Sequence, residues 1–497
     1  MDHLLQPGHT RWPNLQALYA ADRIALSDEA KANVARAHDF LQEVVASGKT
    51  VYGVNTGFGE LARVRVGDDA LHQLQENILR SHAAGLGDPL PPEIVRWMLL
   101  FKVCGLIRGH SGVQPQTVDR LVDFYNAGLM PVVPRQGSLG ASGDLAPLSH
   151  MCLPLLGEGE LMEQDGQGQW TARPAAAVLQ EKGWSPIALG PKEGLALING
   201  TQMMSALLAH SLQQMEHLWE LAHGISSLSL AAFEGLDAPY HPEVHVLRQH
   251  TGQQASAARM RDWLGGAAFL RETHEWVQDP YSFRCIPQVY GAVRTAMDAG
   301  VATLEGEATA VTDNPILLPE TGEVISAGNF HGEPLAVMLD HLKVAASELG
   351  TMSERRIFKL LSGTRGLPPF LATDPGLDSG LMIVQYTAAS IVARNKMRAM
   401  PSSVDTIDSS NGQEDHVSMG ANAGLQLLAV IDGTHEILGC ELLTASQALH
   451  FRPNPGLSAK QQSHLDRFRQ SVPPQQGDVE QSSRMRAAKS FLQHRKD

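Results

Sequence analysis

The 497-residue chain combines 43% apolar and 19% charged residues with 39 Lys+Arg against 53 Asp+Glu, a formal charge of −14. This is the composition of a globular protein with ample core. It excludes wholesale disorder, and without a basic block to neutralise phosphates it argues against a nucleic-acid partner.

At about 100–200 residues per domain, the length predicts two or three domains or one large helical unit. In chain order, residues 1–7 lack a cationic stretch followed by an apolar core, so no signal peptide is expected. Ser27 and Asp28 offer caps for a helix in which Ala30, Val34, Ala37, Phe40, Leu41, Val44 and Val45 recur at three-to-four spacing until Gly48. A short strand is predicted around residues 49–52. Ser47-Gly48-Lys49-Thr50 looks like the tail of a phosphate loop, but Glu43 stands where the upstream glycine belongs, and the segment reads as a helix stop.

Loops are expected where Gly, Pro and polar residues collect, at 163–169, 363–380, 400–412 and 452–456. Long helices are predicted near 202–223, 288–310, 334–361, 380–399 and 421–448, all rich in Ala, Leu, Met and Glu. Stretches such as 335–346 are apolar on more than one face, which suits the inside of a bundle or a subunit interface. His241-Pro242-Glu243-Val244-His245 spaces two imidazoles four apart, but not in the order H-E-x-x-H. It reads as a surface helix with two histidines rather than a zinc site. A second strand is expected near 323–326, and 471–483 reads as a surface linker before a short final helix.

No G-x-G-x-x-G follows a strand, so a dinucleotide fold has no support. No run of about 18 apolar residues marks a membrane span. Four scattered cysteines fit a reducing cytoplasm. The expected organisation is mainly α: a mixed N-terminal region over residues 1–200, then a bundle of long helices over 201–497.

The informative run is Gly137-Ser138-Leu139-Gly140-Ala141-Ser142-Gly143-Asp144. On composition it is a turn cluster leading into a helix capped by Asp144. It nearly spells the nucleophile elbow G-x-S-x-G, with Asp144 in place of the second glycine, so a serine hydrolase acting through Ser142 is one reading. The tripeptide Ala141-Ser142-Gly143 admits another. If the Gly143 nitrogen attacks the Ala141 carbonyl carbon and water is lost, an imidazolone ring closes. A second dehydration turns the Ser142 side chain into an exocyclic methylene, a conjugated electrophile.

This run resembles the signature of the aromatic amino acid ammonia-lyases, in which Ala-Ser-Gly becomes the methylidene-imidazolone (MIO) group. Further motifs fall in that family's order over about residues 10–450: Tyr52-Gly53-Val54-Asn55-Thr56-Gly57-Phe58-Gly59, Asn199-Gly200-Thr201-Gln202, Gln278-Asp279-Pro280-Tyr281-Ser282-Phe283-Arg284, Gly328-Asn329-Phe330-His331 and Gln413-Glu414-Asp415-His416. The resemblance implies a histidase/fumarase-like architecture and a carbon–nitrogen lyase. It implies an electrophile made from the chain itself, with no metal and no diffusible cofactor. The partner is a small amino acid, and the assembly is a homotetramer with active sites shared between subunits.

Ser81-His82 and Glu414 match the histidine branch, so deamination of L-histidine to trans-urocanate is expected. The tyrosine and phenylalanine branches and the aminomutases stand behind it, and a catalytically silent helical scaffold is the remaining reading. An imidazole has two nitrogens to bond, whereas a carboxylate facing a phenyl ring would be a buried charge without a partner. Gly412 departs from the histidine branch, where many members carry Asn before the Gln-Glu pair.

The resemblance also assigns roles. Tyr52, on a glycine-flanked loop, takes the β proton, and Arg284 clamps the substrate carboxylate. Asn199 bonds the imidazolone oxygen or that carboxylate. Gln278 and Tyr281 orient substrate and prosthetic group, and Phe330 packs beneath the ring. Asn329, Gln413 and His82 line the substrate. Glu414 binds imidazole or transfers a proton.

Overall fold

The computed structural model describes residues 3–48, 50, 51, 53, 54, 56, 67, 70–271 and 276–493. The chain forms two compact units, each drawn from three segments. The first comprises residues 1–210, 300–339 and 401–425, and the second 211–299, 340–400 and 426–497. The first therefore collects segments from both sides of residue 200, whereas the second lies wholly beyond it.

In the first unit the Asp28–Ala46 helix begins as its sequence implies. Ser27 Oγ accepts the Ala30 N–H at 3.2 Å, and Ala30, Val34, Ala37 and Leu41 form its buried stripe. Gly48 ends it at φ +73°. Leu41 packs with Val54 and Leu317, with Phe40 and Val45 around them. Of the expected strand at 49–52, residues 49 and 52 lie outside the described residues, and Thr50 and Val51 are not in a strand. Glu323–Ile325 does form a strand, antiparallel to Ile316–Leu318. The 163–169 segment is not wholly loop. Glu160–Gln164 and Trp170–Pro174 are an antiparallel hairpin, and Asp165 Oδ1 closes the turn by accepting the N–H groups of Gln167 and Gln169, both at 2.8 Å.

The long helices run Gln202–Ala232, Ile286–Glu307, Glu333–Leu361, Met382–Arg398 and Gly420–His450. Four of them, all but Met382–Arg398, contribute residues to both units. The first outruns its expected end at 223 because its serines are satisfied within the second unit. Ser227 Oγ donates to Gly224 O at 2.7 Å, Ser229 Oγ to Glu441 Oε1 at 2.6 Å, and Ser226 Oγ lies 3.2 Å from the Tyr290 hydroxyl. Hydroxyls that look like loop in sequence thus stay helical. Glu441 also receives Arg356 in a fully buried two-pronged pair at 2.6 and 2.8 Å, and Arg356 reaches the Tyr290 hydroxyl at 2.7 Å.

His245 is a buried histidine with both nitrogens engaged, by Pro239 O and the Gln253 amide. The 471–483 stretch is anchored rather than a free linker. Gln475 is buried and exchanges two hydrogen bonds with Gln447, at 2.9 and 3.1 Å.

Candidate active site

Three glycines shape the loop before the Leu145–Cys152 helix, with Gly137, Gly140 and Gly143 at φ +145°, +69° and +72°. Gly143 is the tightest. A Cβ there would meet the Gly200 carbonyl oxygen at 2.0 Å, and the Asp144 N–H donates to that same oxygen at 2.7 Å. No side chain fits at position 143. Two other loops are tied to this one: Gly140 O accepts from Ser418 Oγ at 3.0 Å and from the Gly332 N–H at 3.2 Å, and Leu139 O accepts from the Met419 N–H at 2.8 Å.

Asp144 sits at the N-cap position just before the Leu145–Cys152 helix, but its side chain does not cap it. Its carboxylate turns instead to the start of the Gln202–Ala232 helix, where Oδ2 accepts the Met204 N–H at 3.0 Å, while Oδ1 accepts Ser138 Oγ at 2.9 Å. The unpaired N–H groups and positive end of that helix compete better for the charge. Burial pushes the Asp144 carboxyl up to about 6, against the pull of these donors and of Lys102.

Ser142 is gripped at two atoms. Its carbonyl oxygen accepts from Asn199 Nδ2 at 2.7 Å, and its hydroxyl donates to Glu414 Oε1. Asn199 ends the short Glu193–Ile198 helix. The last carbonyls there are held by Lys102 Nζ, which donates to Ala196 O and Asn199 O, both at 3.2 Å. Burial lowers the Lys102 ammonium to about 8. Glu414 is set by a backbone bridge with Ser409 (2.9 and 3.2 Å) and by Ser409 Oγ on its second oxygen at 2.9 Å.

His82, at the end of the Leu71–His82 helix, places Nδ1 2.9 Å from Ile78 O, so that nitrogen is the donor and Nε2 is left as an acceptor. Burial pushes its pKa below the usual value, with the Ile78 carbonyl and the Glu414 charge opposing.

The remaining expected residues are placed less centrally. Phe330 is half-buried on the loop joined to Gly140 through Gly332. Asn329 is exposed, its amide donating to Val311 O at 3.2 Å. Gln413 is exposed beside Glu414. Tyr52 lies outside the described residues. Gln278, Tyr281 and Arg284 belong to the second unit and cluster there: Arg284 donates to Gln278 Oε1 and covers the Tyr281 ring at 4.7 Å, and Tyr281 is 69% exposed. Asp279 braces that motif from within by accepting Arg365 at 2.7 Å and the Leu236 N–H at 2.7 Å. The three line a cavity of about 420 Å³ with Lys359, Thr364 and Arg365.

Sequence reading missed Lys102, Ser138 and Ser409. Lys102 carried a signal, a lone cation in the otherwise apolar stretch Trp97-Met98-Leu99-Leu100-Phe101-Lys102-Val103-Cys104. The two serines carried none.

Residues 13–470 match the family described as aromatic amino acid lyase. The chain is 48% identical over 436 residues to a histidine ammonia-lyase of Deinococcus radiodurans, covering 87% of this chain and 82% of that protein. It is 46% identical over 458 residues to one of Symbiobacterium thermophilum, covering 92% and 89%. The crystal structure of histidine ammonia-lyase from Trypanosoma cruzi superposes with a TM-score of 0.89 at 37% identity, covering 99% of this chain and 93% of that one. With its Ala141-Ser142-Gly143 loop, its long helices and these relatives, the chain belongs to the aromatic amino acid lyase family.

Proposed function

We propose that the chain removes ammonia from L-histidine without oxidation, leaving trans-urocanate, through an MIO group formed from Ala141-Ser142-Gly143. Two curated relatives at 46–48% identity carry that activity in their names. The residues fit the group: Gly143 has a backbone and surroundings that exclude a side chain, and the buried Asn199 Oδ1 has no partner while its Nδ2 holds the Ser142 carbonyl. When formed, the group supplies an electrophilic methylene to the substrate amine.

The chain's own residues do the rest. Asn199 donates to the oxygen on which negative charge grows. His82 Nε2 accepts the single N–H of the neutral imidazole, with Glu414 beside it, which sets histidine apart from phenylalanine. Tyr52 is the base for the β proton. Arg284 binds the substrate carboxylate, with Gln278 and Tyr281 orienting substrate beside it. Phe330, Asn329 and Gln413 wall the site. The observation that carries this reading is Ser142 held by Asn199 on its carbonyl and by Glu414 on its hydroxyl, with His82 in the field of Glu414.

A homotetramer with shared sites suits the exposed apolar side chains of the Met382–Arg398 helix and the loop after it, Ile383, Tyr386, Met397 and Val404 among them. Gln278, Tyr281 and Arg284 would then serve the Ser142 of a neighbouring chain. The four free cysteines are in keeping with a cytoplasmic setting. Among the described residues no helix is long and apolar enough to cross a membrane.

Incubation with L-histidine, L-tyrosine and L-phenylalanine separately tests the reading. Ammonia and an ultraviolet-absorbing product are expected from histidine, together with an intact mass two waters below that of the linear chain. Ammonia from tyrosine but not histidine overturns the substrate, and a full linear mass in active protein overturns the electrophile.

A further inference from the structure

Two histidines lie in the motifs around the site without a part in the chemistry proposed above. His331 follows Phe330, and His416 stands two residues after Glu414. With Glu333 they form, among the described residues, the one group of three side chains able to converge on a metal. One donor atom from each lies within 4.8 Å of the others, and the imidazole centroids are 5.5 Å apart. All three belong to the first unit.

Their local hydrogen bonds hold His331 only loosely and leave Glu333 incompletely paired. His331 Nδ1 receives the Glu333 N–H at 3.4 Å and Nε2 lies 3.2 Å from His416 O, both at the long end of hydrogen bonding. Glu333 opens the Glu333–Leu361 helix, whose positive end favours a carboxylate. Yet its Oε2 is buried and has no donor. A buried carboxylate oxygen without a partner is unfavourable, and a cation held between it and two imidazoles would satisfy it.

We propose that His331, Glu333 and His416 bind one divalent transition-metal ion, which clips the loop carrying Phe330 to the loop carrying Glu414. Two imidazole nitrogens and one carboxylate oxygen suit zinc, cobalt or nickel. Magnesium and calcium want oxygen alone. Three protein ligands leave a fourth position for water, and the exposure of His416 lets water reach it. Bonds of about 2.0–2.1 Å to nitrogen bring the donor atoms of a tetrahedral site to roughly 3.4 Å from one another. Side-chain rotation therefore closes the site, and His416 is free at the surface to make it. No step of the deamination is assigned to the ion, so its presence is tested by binding and not by turnover.

The experiment uses tag-free full-length protein titrated with Zn²⁺ by calorimetry and with Co²⁺ by visible absorption, with Mg²⁺ as the contrasting cation. One tight equivalent per chain is expected, with the stronger visible bands of low-coordinate cobalt and no competition from Mg²⁺. His416→Ala and Glu333→Gln should each weaken Zn²⁺ by tenfold or more, at least the loss that disturbing even an outer partner of a metal site produces. His241→Ala, at an exposed histidine elsewhere, should leave binding unchanged. Because imidazoles bind metal only when neutral, affinity should also fall on acidification. Absence of the tight equivalent overturns the proposal. So does binding that His416→Ala and Glu333→Gln leave at the wild-type level, or binding that His241→Ala weakens as much.

Discussion

Replacing Lys102 by methionine separates what this buried cation does for the fold from what it does for the site. The ammonium is enclosed, and burial brings it from 10.5 to about 8. At about 1.36 kcal/mol per unit, keeping it charged in the fold costs roughly 3 kcal/mol. Methionine removes that cost but leaves Ala196 O and Asn199 O without the donor that reaches each at 3.2 Å, at about 1–3 kcal/mol apiece. The two nearly cancel, so the urea midpoint at pH 7 should move little.

The pH dependence carries the sign. Between about 8 and 10.5 the unfolded chain holds this proton and the folded chain has released it. The wild-type protein therefore gains stability from this group as pH rises through that window, and loses it as pH falls. The methionine variant should lack that component. Turnover should suffer even so, because Asn199 loses the anchor that aims its amide at Ser142 O. Full removal of such an oxyanion donor costs about 10²–10³ in kcat, and a misaimed donor should lose about tenfold. Denaturation series at pH 7, 8.5 and 10, paired with ammonia release and intact mass, measure all three. Unchanged kcat together with an unchanged stability slope above pH 8 would refute the reasoning.

Gly143→Ala should leave the tripeptide linear, because a methyl group 2.0 Å from Gly200 O at φ +72° forces the loop apart; intact mass at the unmodified value checks it. Burial keeps His82 neutral below its ordinary pKa, so its protonation should add a decline in kcat/KM for histidine only below about pH 6.5, where Nε2 gains a proton and ceases to accept. In His82→Gln that acid limb should change shape, a result read from pH–rate profiles. Arg356→Met should cost about 3–5 kcal/mol, because the Glu441 carboxylate stays behind, buried and without its cation. Pairing it with Glu441→Gln should recover part of the loss in thermal unfolding, since the residual charge is then gone.

Much of the helical architecture was legible in the residues themselves. The apolar stripe Ala30–Val34–Ala37–Leu41, its Ser27 cap and its Gly48 stop follow from local periodicity and backbone freedom, and the structure keeps all three. The Ala141-Ser142-Gly143 tripeptide stood out for a different reason: the ring closure proposed for it needs a serine followed directly by a glycine. What local sequence could not reveal were choices between competing partners. Asp144 had two helices to cap and took the distant one, because the Met204 N–H lay unpaired. Lys102 looked like a stray charge until folding set the carbonyls of Ala196 and Asn199 in front of it. Ser226, Ser227 and Ser229 stay helical because their hydroxyls are satisfied, two of them by Tyr290 and Glu441 from other helices. Order along the chain determined which groups were available for chemistry. Only the burial of unpaired donors and acceptors, which no window of neighbouring residues contains, decided whom each of them met.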